Sequence, residues 1–132
     1  MITNMAAVTL PDGQANAEIH NFSPATRQGD VARWLDRDHN QGIPLGFSQL
    51  EFSVKEPAKA GGVSRVKVTF AVPKLDTTTV VPTQTGIGRF NAEFIYPSTY
   101  TELDRKTLLS YAATVLATSK LGDNIVSMVT PY

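Results

Sequence analysis

Residues 49–55 read Gln-Leu-Glu-Phe-Ser-Val-Lys, and residues 64–73 read Ser-Arg-Val-Lys-Val-Thr-Phe-Ala-Val-Pro. In the first stretch Leu50, Phe52 and Val54 alternate with Gln49, Glu51, Ser53 and Lys55. In the second, Val66, Val68, Phe70 and Val72 alternate with Arg65, Lys67, Thr69 and Ala71. Successive side chains of a strand point to opposite faces, so a period of two marks a strand with one buried and one wet face. Between them, residues 56–62 hold Pro57 and the pair Gly61-Gly62, which is turn chemistry. Two alternating runs joined by such a turn predict an antiparallel hairpin.

Downstream, Pro73 is expected to end its strand, because proline has no N–H to give to a ladder. Residues 74–88 then read as a long Thr-rich loop with Pro82, Gly86 and Gly88, of a length that is often functional. Residues 89–96 alternate again, with Phe90, Ala92, Phe94 and Tyr96 against Arg89, Asn91, Glu93 and Ile95, and Pro97 stops them. The period changes after that. Thr101 is placed to cap a helix, with Glu102 and Asp104 at its positive end. Leu108, Tyr111, Ala112, Val115 and Leu116 recur at i, i+3, i+4, i+7 and i+8, the stripe of an amphipathic helix expected to end near Ser119. Gly122 is a break, and residues 123–129 suit a second, short helix before Pro131 and Tyr132.

Upstream, residues 8–10 and 15–20 are short strand candidates around the turn Pro11-Asp12-Gly13-Gln14, which reads as an N-terminal hairpin. Residues 21–30 look like loop, with Pro24 and Gly29. Val31-Ala32-Arg33-Trp34-Leu35 fits either a short strand or a turn of helix. Residues 36–46 form a second loop containing Gly42, Pro44 and Gly46.

Composition bounds the function. The chain has 132 residues, 42% hydrophobic and 18% charged, the profile and size of one globular domain spanning 1–132. No apolar run is long enough to cross a membrane as a helix. Residues 1–10 carry no positive charge and make a poor secretion signal, so synthesis in a cytoplasm is expected. With no cysteine there are no disulfides, thiol nucleophiles or Cys-based metal sites. His20 and His39 are far apart in sequence, no metal-ligand spacing surrounds them, and both are expected at the surface. No Ser-His-Asp constellation or phosphate-cradling Gly loop occurs. Glu51 and Glu93 share a parity face, as a carboxylate pair would, but nothing else supports hydrolysis. The chain is expected to be no enzyme and to need no cofactor. Twelve Lys and Arg balance twelve Asp and Glu, so any binding of nucleic acid must come from where the charges sit.

The elements add up to an α+β fold with a shortage of cover. A five-stranded meander with one apolar face must be buried by something, and the chain supplies one long and one short helix at its end. Its edge strands also need protection. A dimer, with sheets joined edge to edge and helices laid across the partner, meets both needs.

Several segments, in order, resemble the coat proteins of the single-stranded RNA bacteriophages, the levivirus family. Gly29-Asp30-Val31-Ala32-Arg33-Trp34-Leu35 is similar to the family's Asn-Gly-Val-Ala-Glu-Trp-Ile segment. Val66-Lys67-Val68-Thr69-Phe70-Ala71-Val72-Pro73-Lys74 is similar to the strand ending in Val-Pro-Lys before a long loop. Residues 96–105 resemble the strand-to-helix junction, and the terminal Tyr132 is similar too. The resemblance covers nearly the whole chain.

It implies an N-terminal β-hairpin, a five-stranded antiparallel sheet and two C-terminal helices that interlock with a homodimer partner. It also implies assembly of dimers into an icosahedral capsid, packaging of genomic single-stranded RNA in a virion, and translational repression by binding an RNA stem-loop. Residues 74–88 would line the symmetry axes of the shell. The RNA would meet the sheet face opposite the helices, which carries Glu51, Ser53, Lys55, Arg65, Lys67, Thr69, Arg89 and Asn91. Asn91 matches a base- or sugar-contacting Asn or Asp of the family. Arg89 stands where several members have a base-stacking Tyr, and a guanidinium can also stack on a base. Lys67 and Thr69 match a strand where the family alternates Thr and Lys, with the two types exchanged. Lys55, Arg65, Lys67 and Arg89 against Glu51 and Glu93 give this face +2 per subunit, although the chain is neutral. From the residues alone, a non-viral dimeric module with a β-sheet platform for RNA or another ligand stays open. Trp34 is expected to anchor a core or interface, and Tyr111 to pack.

Overall fold

Every alternating run of the sequence becomes a strand, and two of those strands run on through a proline. The computed structural model describes residues 5–131. Strands β1 (Val8–Pro11), β2 (Ile19–Gln28), β3 (Val31–Asp36), β4 (Ser48–Lys55), β5 (Val63–Asp76) and β6 (Thr83–Pro97) pair in sequence order, each antiparallel to the next. Helices α1 (Glu102–Val115) and α2 (Asp123–Ser127) follow. The N-terminal hairpin is continuous with the five-stranded sheet through β2, which makes six strands in all. Tyr132 lies outside the described residues.

Two loops expected from sequence are strand instead. Pro24 does not end β2, which runs on to Gln28; the true turn is Gly29-Asp30, between paired Gln28 and Val31. Gly29 takes φ +58 at the first position of this two-residue turn, a conformation glycine adopts without a Cβ penalty. The β1–β2 ladder stops at Phe22, and the β2–β3 register shifts between Pro24 and Thr26. Pro24 therefore sits at a bulge beyond its other neighbour, where no donor is missed. Pro73 repeats the device. The β4–β5 ladder ends at Gln49 and Ala71, so Pro73 faces a neighbour only in β6, opposite Ile87. The expected loop at 74–88 thus shrinks to the tip 77–82 of a long β5–β6 hairpin.

Val31-Ala32-Arg33-Trp34-Leu35 resolves as strand. The segment 36–46 forms two short 3-10 turns, His39–Gly42 and Pro44–Gly46. At α1, Thr101 Oγ1 accepts from the Asp104 backbone N–H at 3.4 Å, and the Asp104 carboxylate accepts from Thr101 N–H at 3.0 Å. This reciprocal cap satisfies two otherwise orphaned donors. The helix ends at Val115, four residues short of Ser119.

The core is small. Phe22, Trp34 and Leu50 are the buried hydrophobic residues among those described, with Val8, Leu10, Ala32, Val68 and Phe70 packed around them. Trp34 meets its expectation as an anchor, and its indole N–H donates to the Ala6 carbonyl at 2.9 Å. Tyr111 does not pack within its own chain and is 69% exposed. No residue of α1 is buried, and Leu103, Leu109, Val115, Leu116, Ile125 and Val126 are exposed. Phe52, Val54, Phe90 and Val72 on the apolar side of the sheet are exposed as well.

Candidate nucleic-acid interface

Strand parity and ladder register together fix what shares the polar face, because directly paired residues point the same way. One row across the sheet is Leu35, Gln49, Ala71 and Arg89. The next is Thr26, Arg33, Glu51, Thr69 and Asn91. A third is Gln28, Val31, Ser53, Lys67 and Glu93, and a fourth is Lys55, Arg65 and Ile95. Rows two residues apart along a strand lie roughly 7 Å from one another. All eight residues singled out from the sequence (Glu51, Ser53, Lys55, Arg65, Lys67, Thr69, Arg89 and Asn91) therefore occupy one contiguous field. The five charged or amide residues at Lys55, Arg65, Lys67, Arg89 and Asn91 are exposed.

Arg33 joins this field and was missed from sequence. Its short run left strand and helix open, so its face could not be assigned before β3 was seen to pair with β4. Its inclusion raises the field to five cations against two carboxylates.

The carboxylates are not free. Glu51 Oε1 accepts from Arg33 Nη2 at 2.7 Å, from Arg33 Nε at 2.9 Å and from Gln49 Nε2 at 2.7 Å. Glu93 is bridged to Arg65, and its other oxygen lies 3.8 Å from Lys67 Nζ. Two ion-paired carboxylates in different rows do not form the paired acid and base of a hydrolase. Lys55 and Arg89 make no ion pair among the described residues. They stand at opposite ends of the field, in its outermost rows. Such a surface offers two open cations for phosphates and, between them, neutral Asn91, Thr69 and Ser53 for hydrogen bonds to base edges.

His20 and His39 are half-buried instead of surface residues. His20 Nδ1 lies 2.7 Å from Asp36 Oδ2 and its Nε2 lies 3.5 Å from Asp12 Oδ2. Burial disfavours the charged imidazole, but the hydrogen bonds and charges of Asp36 and Asp12 outweigh it and hold His20 above its ordinary 6.5. The Asp12 carboxyl is held below 3.8, chiefly by the Gln14 backbone N–H at 3.0 Å.

Comparison with known proteins gives a consistent result. Residues 3–132 match the family model of the levivirus coat protein. The virus-like particle of bacteriophage ESE058 is similar at 26% identity and a TM-score of 0.87, with 98% of this chain and 99% of that chain covered. The virus-like particle of bacteriophage NT-214 is similar at 25% identity and 0.87, covering 98% and 100%. An unassembled virus coat protein dimer, itself a bacteriophage RNA-binding dimer, shares the fold at 13% identity and 0.69, covering 97% and 98%. No curated protein sequence matches the chain.

Proposed function

The chain belongs to the levivirus coat protein family, and on that premise we propose that it is a structural, non-catalytic capsid subunit: two copies interlock, the dimers close into an icosahedral shell, and the polar sheet face holds single-stranded RNA. The whole of 1–132 acts as one coat-protein domain, made in the host cytoplasm and ending in the virion.

The observation that carries this reading is the surface left unfilled. One chain exposes 9962 Å². A self-contained protein of its 14.3 kDa exposes about 6,800 Å². The excess, on the order of 3,000 Å² per chain and so about 6,000 Å² for a pair, is of the size that large obligate interfaces bury in total. Much of it is also in the right place: Leu103, Leu109, Tyr111 and Val115 on α1, Ile125 and Val126 on α2, and Phe52, Val54, Val72 and Phe90 on the apolar side of β4 to β6 are all exposed. A partner's helices laid across that side would cover both sets at once.

The RNA part of the reading rests on the charge pattern of the opposite face. A neutral protein that gathers five cations onto one sheet face, pairs three of them and leaves two open has a local field suited to phosphates. Among RNAs, a stem-loop fits best, since its unpaired bases can reach Asn91 and stack on Arg89. Translational repression would follow from binding such a stem-loop at the start of a phage gene.

Expression of the chain alone in bacteria tests the reading. Electron microscopy of the soluble fraction should find uniform shells, and its absorbance should be richer at 260 than at 280 nm. A dimer that never grows, free of nucleic acid at low salt, would instead favour a non-viral module on the same sheet platform.

A further inference from the structure

The fold brings His20, Asp36 and His39 together from β2, the end of β3 and the 3-10 turn after it. One ligand atom from each lies within 4.8 Å of the other two. We propose that this cluster is a binding site for one divalent transition metal of the zinc type, which pins the N-terminal hairpin to the β3–β4 connection.

The donor set fits that class of ion. Two imidazoles and a carboxylate suit zinc and its neighbours, whereas calcium and magnesium take oxygen ligands. A tetrahedral zinc with bonds of about 2.0–2.2 Å needs ligand atoms roughly 3.4 Å apart. His20 Nδ1 and Asp36 Oδ2, now hydrogen-bonded at 2.7 Å, must part slightly, and His39 must close in. The His39 ring already stands edge-on to His20, with centroids 5.9 Å apart.

Three further features point to a ligand. Asp36 is only 1% exposed. One of its oxygens is taken by the Asp38 N–H at 3.1 Å, and the other is turned to His20. His39 is half-buried, yet its ring nitrogens have no hydrogen-bond partner among the described residues, although one lies within 4.8 Å of the buried Asp36 carboxylate. Finally, Asp12 Oδ2 lies 3.5 Å from the far nitrogen of His20. A metal on Nδ1 would leave Nε2–H to donate to that carboxylate, the outer-shell contact that orients most metal-bound histidines.

The turn carrying His39 is held in place. Asn40 and Gln41 both adopt positive φ, and the Asn40 amide donates to the Gly46 carbonyl at 2.9 Å and the Pro73 carbonyl at 3.1 Å. His39 thus projects from a clamped backbone. Water would fill the fourth position.

The test is a zinc chloride titration of the purified, chelator-stripped protein against a chromophoric competing chelator, with cobalt(II) as a spectroscopic probe. Wild type should take up one zinc per chain and give the intense visible bands of tetrahedral cobalt. His39→Ala leaves the His20–Asp36 hydrogen bond in place and should abolish saturable uptake. Asp12→Asn should weaken binding by about 10- to 100-fold. Glu18, whose carboxylate also approaches Asp12 and His20, is not a ligand here, so Glu18→Gln should bind as wild type. No saturable uptake by wild type, uptake kept in His39→Ala, or uptake lost in Glu18→Gln would each overturn the site.

Discussion

Arg89 and Lys55 differ from the other cations of the polar face in having no carboxylate partner among the described residues. Arg33, Arg65 and Lys67 must share their charge with Glu51 and Glu93, so a phosphate gains less from them. If the face holds RNA, Arg89→Ala and Lys55→Ala should each lower the slope of log affinity against log salt by about 0.7–0.9, the value of one phosphate contact. Arg33→Ala should lower it less. Glu93→Gln should act in the opposite sense, releasing Arg65 and Lys67 and raising both non-specific affinity and slope. Filter binding over a salt series distinguishes these, and equal slopes for all four variants would remove the face from the site. A second residue-scale expectation concerns Asn40. Asn40→Ala orphans the carbonyls of Gly46 and Pro73 and puts a Cβ-bearing residue without a compensating amide at φ +52. The loss should be roughly 2–4 kcal/mol, read from the denaturant midpoint. Asn40→Gly relieves the strain and should recover part of it.

At the scale of elements, the β5–β6 hairpin is longer and its tip smaller than alternation suggested. Asp76 closes the tip by accepting from the Thr78 N–H at 2.9 Å and the Thr78 hydroxyl at 2.6 Å. Those bonds hold its carboxyl below 3.8, the side-chain hydroxyl contributing most. The ionised form is the one that closes the turn. Its contribution is complete above 3.8 and is lost as pH falls through the lower value of the folded protein. The Thr78 amide resonance should therefore titrate below 3.8 in the dimer, and stay flat in Asp76→Asn. The tip also presents Val80 fully and Val81 largely to solvent. Replacing 77–82 with a two-residue turn should leave dimers intact and abolish most shells, if the tip joins subunits; shells of normal yield would deny it that part. The same hairpin shows what sequence can and cannot tell. Strands at 49–55, 64–72 and 89–96 were legible because each alternates cleanly. Pro24 and Pro73 misled because a proline stops a strand only where a neighbouring strand needs the N–H it lacks, and ladder ends are set by distant partners. Arg33 was hidden for the related reason that five residues cannot show a period. His20, Asp36 and His39 carry no spacing signal, since the β2–β3 pairing and the clamped 3-10 turn after β3 bring them together only in the fold.

For the whole molecule, the decisive quantity is how little one chain buries. Among the described residues three hydrophobic side chains are buried, a small core to set against the conformational entropy that ordering the chain costs. The sheet ladders add hydrogen bonds, but those exchange for bonds to water and contribute modestly. The rest must come from apolar surface on α1, α2 and the sheet that a second chain covers. Folding and dimerisation are then one event, and stability depends on protomer concentration. Thermal denaturation of unassembled dimers should shift to lower temperature on dilution, with far-ultraviolet circular dichroism and sedimentation lost together. Tyr111→Asp puts a charge at an exposed position of α1 that the covering model buries. It should yield an unfolded or aggregated chain and no stable folded monomer. A well-folded monomer from that variant, or a midpoint that ignores concentration, would mean that one chain stabilises itself, and the surface excess would need another explanation than the partner.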